Sequence, residues 1–142
     1  MTKYHITYQG KTYTLVPRLL LMPTIDNKMQ LLPMPNIRIF CVADDGSESF
    51  VIRTVSFGEF IGIKNTAYLD FSSSPNAEAI FQLVRIAKDT GWRRGAGKER
   101  YPLWQFDGDT LRSLDRLPYQ YYSMLFEKNV PKPAPSAYQI TT

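Results

Sequence analysis

A chain of 142 residues with 44% hydrophobic and 21% charged side chains has one domain's length and a globular balance, which excludes a disordered or fibrous chain. One cysteine, Cys41, and one histidine, His5, exclude an intrachain disulfide framework and all but empty the choice of ligands for a metal site. The longest unbroken apolar run, Leu19 to Met22, is far shorter than a bilayer span and no leader pattern opens the chain, so a cytoplasmic protein without a membrane partner is expected.

The net charge of +4 and the isoelectric point near 9.2 are mild. They are also concentrated: in "GWRRGAGKER", residues 91 to 100, four cations stand against Glu99 and carry three of the four net charges.

In chain order, residues 3 to 16 alternate around Gln9 and Gly10 and predict a hairpin. A two-residue turn there pairs Ile6 with Tyr13 and Tyr4 with Leu15 and sets His5 beside Thr14 on a wetter face. Residues 17 to 36 hold Pro17, Pro23, Pro33 and Pro35 among leucines and methionines, which forbids a long helix and leaves two short edge strands around "TIDN". The clearest hairpin spans 36 to 57, with Asp45-Gly46 as a type I′ turn. Its register pairs Ile39 with Ile52, Phe40 with Val51 and Cys41 with Phe50, and sets Arg38 opposite Arg53. Like charges facing across a ladder repel, so a shifted register, an intervening carboxylate or a bound anion is expected there, unless the two side chains splay into water or pair with separate acids.

"TAYLDF" is a further strand. Residues 75 to 90 form an amphipathic helix, with Ser74 as cap, Pro75 at the first position, Ile80, Leu83, Val84 and Ala87 on one stripe, and Gly91 as stop. After the basic loop, Asp107 or Asp109 caps a helix carrying Leu111, Leu114 and Leu117, and Pro118 starts another with Tyr121, Tyr122, Leu125 and Phe126 on one side. Pro131, Pro133 and Pro135 mark a tail that is mobile or laid as an arm on a neighbouring copy. The expected fold is therefore α+β: an antiparallel sheet of two or three hairpins, with the helix over 75 to 90 and a C-terminal helical pair on one face. It forms a single domain over 1–128, followed by a proline-rich tail over 129–142.

Familiar catalytic and cofactor motifs fail. "GAGK" lacks the spacing, the Ser or Thr after lysine and the strand-to-helix context of a phosphate-cradling loop, and it lacks the third glycine of a dinucleotide fingerprint. "DDGSE" lacks the alternating oxygen ligands of a calcium loop. Cys41 sits mid-strand among apolar neighbours, the setting of an inert thiol. No catalytic constellation, metal site or cofactor is expected, and the balance tilts away from an enzyme.

What remains is a binding surface. Trp92, Tyr101 and Trp104 interleave with Arg93, Arg94, Lys98 and Arg100, the ingredients for gripping phosphates and stacking bases, and Arg38 with Arg53 offers a second anion site. The sequence predicts a small non-catalytic protein whose basic aromatic loop, 91 to 104, engages an anionic partner: nucleic acid, a phosphorylated nucleotide or an acidic protein surface. Four cations on one copy are few for nucleic acid, so a homo-oligomer would strengthen such a site. The alternative is a protein-interaction or inhibitor module that docks through the apolar segment 19 to 34 and touches no nucleic acid.

Overall fold

The computed structural model describes residues 2–21, 24–25, 28, 30–96 and 99–130. In chain order the elements are β1 (Tyr4–Tyr8), β2 (Lys11–Leu20), β3 (Thr24–Ile25), β4 (Leu31–Leu32), β5 (Asn36–Ala43), β6 (Ser49–Val55), β7 (Thr66–Asp70), α1 (Ala77–Val84), β8 (Ala87–Ala96), β9 (Glu99–Phe106), α2 (Gly108–Leu114) and α3 (Arg116–Asn129). The protein is α+β. Seven strands form one sheet in the order β1-β2-β5-β6-β7-β9-β8, every neighbouring pair antiparallel, while β3 and β4 make a separate two-stranded ribbon.

Turn chemistry fixes the first registers. Gln9 and Gly10 both take positive φ, 51° and 77°, as a type I′ turn requires, and Ile6 meets Tyr13 while His5 meets Thr14. Between β5 and β6 the expected register is kept, with Ile39 against Ile52 and Arg38 against Arg53. The turn itself differs from the type I′ expectation. Only Gly46 is left-handed, at 75°, and a four-residue loop closes with Ala43 N–H donating to the Glu48 carbonyl while the Asp45 carboxylate accepts from Ser47 N–H. Pro17 sits in β2 where β1 no longer pairs, the edge position at which a missing N–H breaks no ladder.

The helix expected over 75 to 90 is shorter, and the difference matters for function. It begins after Asn76, while the Ser74 hydroxyl donates to the Glu48 carboxylate instead of capping the helix, and it ends at Arg85 in the left-handed region at φ 62°. Ala77, Ile80 and Phe81 point inward with Val84 packed against the core, and of the apolar residues expected on the stripe only Leu83 is exposed. The chain then turns at Ile86 and runs out as β8, because residues from Ala87 onward find a ladder partner in β9. Arg85 occupies a position where glycine is the usual residue. Arg85→Gly is expected to raise the unfolding free energy by about 0.5–1 kcal/mol, read from urea denaturation midpoints at constant slope, since relief of left-handed strain exceeds the entropy of one glycine.

One sheet face supplies the core. Tyr13, Leu15, Leu19, Ile37, Ile39, Cys41, Phe50, Ile52 and Leu69 cluster with Ile80 and Phe81 of α1, Leu111 of α2, and Tyr119, Tyr122 and Phe126 of α3. Strand alternation sends the intervening residues to the opposite face. α2 is capped by Asp107, whose carboxylate accepts from Thr110 N–H at 3.1 Å. Asp115, between α2 and α3, accepts from Arg18 Nε and Nη2 at 3.0 and 2.7 Å and from Leu19 N–H at 2.9 Å, filling the open edge of β2. Burial alone would raise the Asp115 pKa, but those hydrogen bonds and the Arg18 charge outweigh it and hold the carboxyl below its ordinary range.

Candidate functional site

The segment expected to be a basic loop is a β-arm. Residues 91 to 96 belong to β8 and 99 to 104 to β9, paired from Arg93 against Pro102 to Ala96 against Glu99, with an irregularity between Asp89 and Arg93. Alternation divides the cations that the sequence groups together. Arg94 shares the outer face with Tyr101, while Arg93 and Arg100 lie on the side of buried Pro102 and Trp104. Lys98 and Gly97 lie outside the described residues.

Most of the described cations in the arm already have acids. Arg93 grips Asp89 through both guanidinium nitrogens at 2.8 and 2.7 Å, and this contact, working against burial, holds Asp89 below the ordinary carboxylate range. Arg94 pairs with Glu59 and lies 4.8 Å over the ring of Phe57. The Tyr101 hydroxyl donates to Glu99, and that hydrogen bond raises the phenol pKa. Arg100 is exposed, with no ion pair among the described residues.

Of the three expected stacking rings, Trp92 is 64% exposed and Tyr101 half-buried. Trp104 corrects the sequence reading. At 2% exposure it packs against Phe71 and Phe81, so it is a core residue and unavailable to a ligand. The cleft beside the arm, of about 220 Å³, is lined by Asp70, Glu78 and Glu99 against the single cation Arg100. Its charge is wrong for a phosphate.

The second pair, Arg38 and Arg53, has a different setting. Cross-strand registers place Arg18, Arg38, Arg53 and Asp70 side by side over β2, β5, β6 and β7, on the face away from the helices. Arg18 is held by Asp115, and Arg53 Nε lies 3.9 Å from the Asp70 carboxylate. Arg38, exposed at the centre of the row, has no acid within ion-pair distance among the described residues. The like-charge register is therefore real, and the flanking acids take up only its ends.

Beside this row the same face is apolar. Phe40 is 48% and Val42 47% exposed, with half-buried Val16 and Val51 as cross-strand neighbours of Phe40. A shallow groove of about 310 Å³ runs here, lined by Phe40, Val42, Ser49, Val51 and Ser73. The strands that carry it, β5 and β6, are each paired on both sides. The sequence reading missed Phe40, Val42 and Arg18 as surface groups, although period-two alternation from buried Ile39 and Cys41 places Arg38, Phe40 and Val42 together outside.

Elsewhere the chemistry is quiet. Cys41 is buried and its thiol is pushed up to about 12, by burial first and the Glu48 charge second, so it stays protonated at neutral pH. His5 shares a hydrogen bond with the Thr14 hydroxyl at 3.2 Å. No three His, Cys, Asp or Glu side chains among the described residues are grouped to hold a metal ion, and no helix among them is long and apolar enough to cross a membrane. In the apolar segment, Leu19 and Leu32 are buried while Leu21 and Leu31 are exposed. Leu20, Pro33 and Met34 close a narrow gap against Tyr121 and Leu125 of α3, so much of this stretch is spent on its own helix. The proline-rich residues 131–142 lie outside the described residues. No family model, curated protein or solved structure matches the chain.

Proposed function

We propose that this is a non-catalytic binding protein for an anionic partner, and that it binds through the open sheet face with Arg38 and Arg53 at its centre. The observation that carries this reading is the arginine row. Arg38 and Arg53 stand directly opposite each other on adjacent strands whose backbones lie about 5 Å apart, and the chain supplies one acid, at 3.9 Å, to Arg53 and none of its described acids to Arg38. A carboxylate or phosphate lying between them removes the repulsion and accepts from both. The β8–β9 arm is secondary, since its described cations other than Arg100 are held by acids of the same chain.

The experiment uses two probes, oligothymidylate and oligoglutamate of equal charge, titrated into the full chain over a range of salt. Wild type is expected to bind both weakly, with affinity for oligothymidylate falling with a log–log salt slope near −1.4, about 0.7 for each of two phosphate contacts. Arg38→Ser with Arg53→Ser abolishes binding, whereas Arg93→Ala changes it little. Equal binding by wild type and the Arg38/Arg53 double variant would overturn the reading.

A further inference from the structure

Resting on the anionic reading of this face, we infer that its partner is a protein segment. The segment lies along β5, with an apolar side chain in the groove beside Phe40 and a carboxylate two residues away on Arg38 and Arg53. Three observations carry the inference. The first is the count of free charges. Arg38 alone in the row has no described acid and Arg53 has Asp70 at 3.9 Å, so at most two cations reach a ligand, worth a salt slope of no more than about −1.4, whereas a free-standing nucleic-acid binder makes roughly six to ten phosphate contacts. Charge alone is too little, so apolar contact has to supply most of the affinity.

The second observation is the kind of apolar surface. Phe40 is the half-exposed ring beside Arg38, and its neighbours Val16, Val42 and Val51 are aliphatic; the half-buried ring at the Asp70 end of the row, Tyr101, has its hydroxyl on Glu99. A ring in a groove lined by valines and serines, with a guanidinium pair two residues along the same strands, has the composition of a protein interface, where aromatic and arginine anchors dominate. Arg38 and Phe40 are two residues apart on one strand, roughly 6.6 Å. An extended segment laid alongside presents its own same-face side chains at that spacing, which sets the expected pattern: acid, any residue, apolar residue.

Thirdly, the acids around this face are already engaged, which argues against a second copy as occupant. Asp115 is held by Arg18, Glu59 by Arg94, Glu99 by Tyr101 and Asp44 by Thr14, while Asp70 neighbours Arg53. Among the described residues of this face, another copy could offer Arg38 only a carboxylate that already holds a partner of its own chain.

The test is selection of a displayed library of random peptides on the full chain, with counter-selection on Phe40→Ser/Val42→Thr. Both substituted side chains are about half exposed, so the urea midpoint should stay near wild type. Enriched peptides are expected to carry Asp or Glu two residues from Leu, Ile or Phe, and to bind the Phe40/Val42 variant about ten- to hundredfold more weakly, the worth of one large buried side chain. If that variant loses its fold, Arg38→Ser/Arg53→Ser takes its place as counter-selector, with an expected loss of about tenfold. No enrichment over the counter-selector, or enriched peptides that bind it as tightly as wild type, overturns the inference. An oligothymidylate arm separates the two readings. Tight binding with a salt slope of about −4 or steeper, lost with Arg38 and Arg53 but indifferent to Phe40, makes nucleic acid the partner and leaves the anionic reading standing. Peptide binding that depends on Phe40 and ignores both arginines removes the anionic reading, and this inference with it.

Discussion

Phe81→Ala is expected to lower the unfolding free energy by about 3–5 kcal/mol, the range for deleting a fully buried ring whose cavity cannot collapse. Phe81 is 1% exposed, and three rings surround it with centroids at 5.0 Å (Trp104), 5.7 Å (Phe71) and 6.0 Å (Phe106). These neighbours come from β9 and from the turn after β7, so the ring is where α1 docks on the sheet. Trp104 and Phe106 are fixed along β9 and both are buried, so their rings are already packed and fill the vacated space only in part. Leu83→Ala, two residues along the same helix, is the control. That side chain is exposed, and its loss should change stability by no more than about 0.5 kcal/mol. Urea midpoints at constant slope measure both. A loss below about 1 kcal/mol for Phe81→Ala would mean that α1 is held by its backbone and flanking turns instead of its aromatic contact.

The contrast between Phe81 and Leu83 also shows what the sequence could and could not convey. Periodicity identified a helix after Pro75, because apolar residues recur at three and four positions whether the stripe is read through Ile80 and Phe81 or through Ile80 and Leu83. Choosing between those stripes needs the neighbour, and the neighbour is the Phe71, Trp104 and Phe106 cluster, assembled from segments about ten to twenty-five residues away. The helix end was misplaced for a related reason. "AKDTG" suits a last helical turn by local propensity, and only the ladder with β9 makes it a strand. The hairpins were legible because their signals are local: Gln9-Gly10 and Gly46 sit between runs whose alternation fixes the partner.

The same distinction governs the candidate site. A cluster of cations in sequence suggested a cluster in space, and that inference holds for a loop but fails for a strand, where successive side chains point to opposite faces. Once 91 to 104 is an arm, Arg93 and Arg94 cannot face one ligand together. Their acids, Asp89 and Glu59, lie 4 and 35 positions away, so one pairing could be suspected from spacing and the other could not. Arg38 opposite Arg53 was legible because a hairpin register is a local matter. Arg18 beside them was not, since it depends on β2 returning to β5 across the β3–β4 excursion. The uncompensated charge thus sits in a local hairpin register, long-range strand order adds only Arg18, which Asp115 already holds, and the apolar groove beside them follows from the helices burying the opposite face.

Asn65→Ala is expected to cost about 2–5 kcal/mol, although the residue is only partly buried and lies just before a strand. Asn65 adopts φ 66°, a left-handed conformation that asparagine tolerates and alanine adopts at a cost of about 1–2 kcal/mol. Three of its polar groups tie the start of β7 to α3 and β9. Its N–H donates to the Tyr122 hydroxyl at 2.7 Å, its carbonyl accepts from Phe106 N–H at 2.7 Å, and its Oδ1 accepts from the Tyr119 hydroxyl at 3.0 Å. Alanine keeps the two backbone contacts and removes the third, leaving the buried Tyr119 hydroxyl without that partner at a further cost of about 1–3 kcal/mol. Asn65→Gly separates the two contributions, because glycine takes the left-handed conformation freely and loses only the hydrogen bond. The alanine variant should therefore be less stable than the glycine variant by about 1 kcal/mol, read from urea midpoints. Equal midpoints would show that the backbone conformation at 65 contributes nothing and that the tyrosine contact carries the whole effect. Because α3 lies on the core side of the sheet and Arg38, Arg53 and Phe40 on the other, neither variant should alter binding there while the chain remains folded. A change in peptide affinity without a change in folded fraction would mean that the helical layer and the platform are coupled through β7.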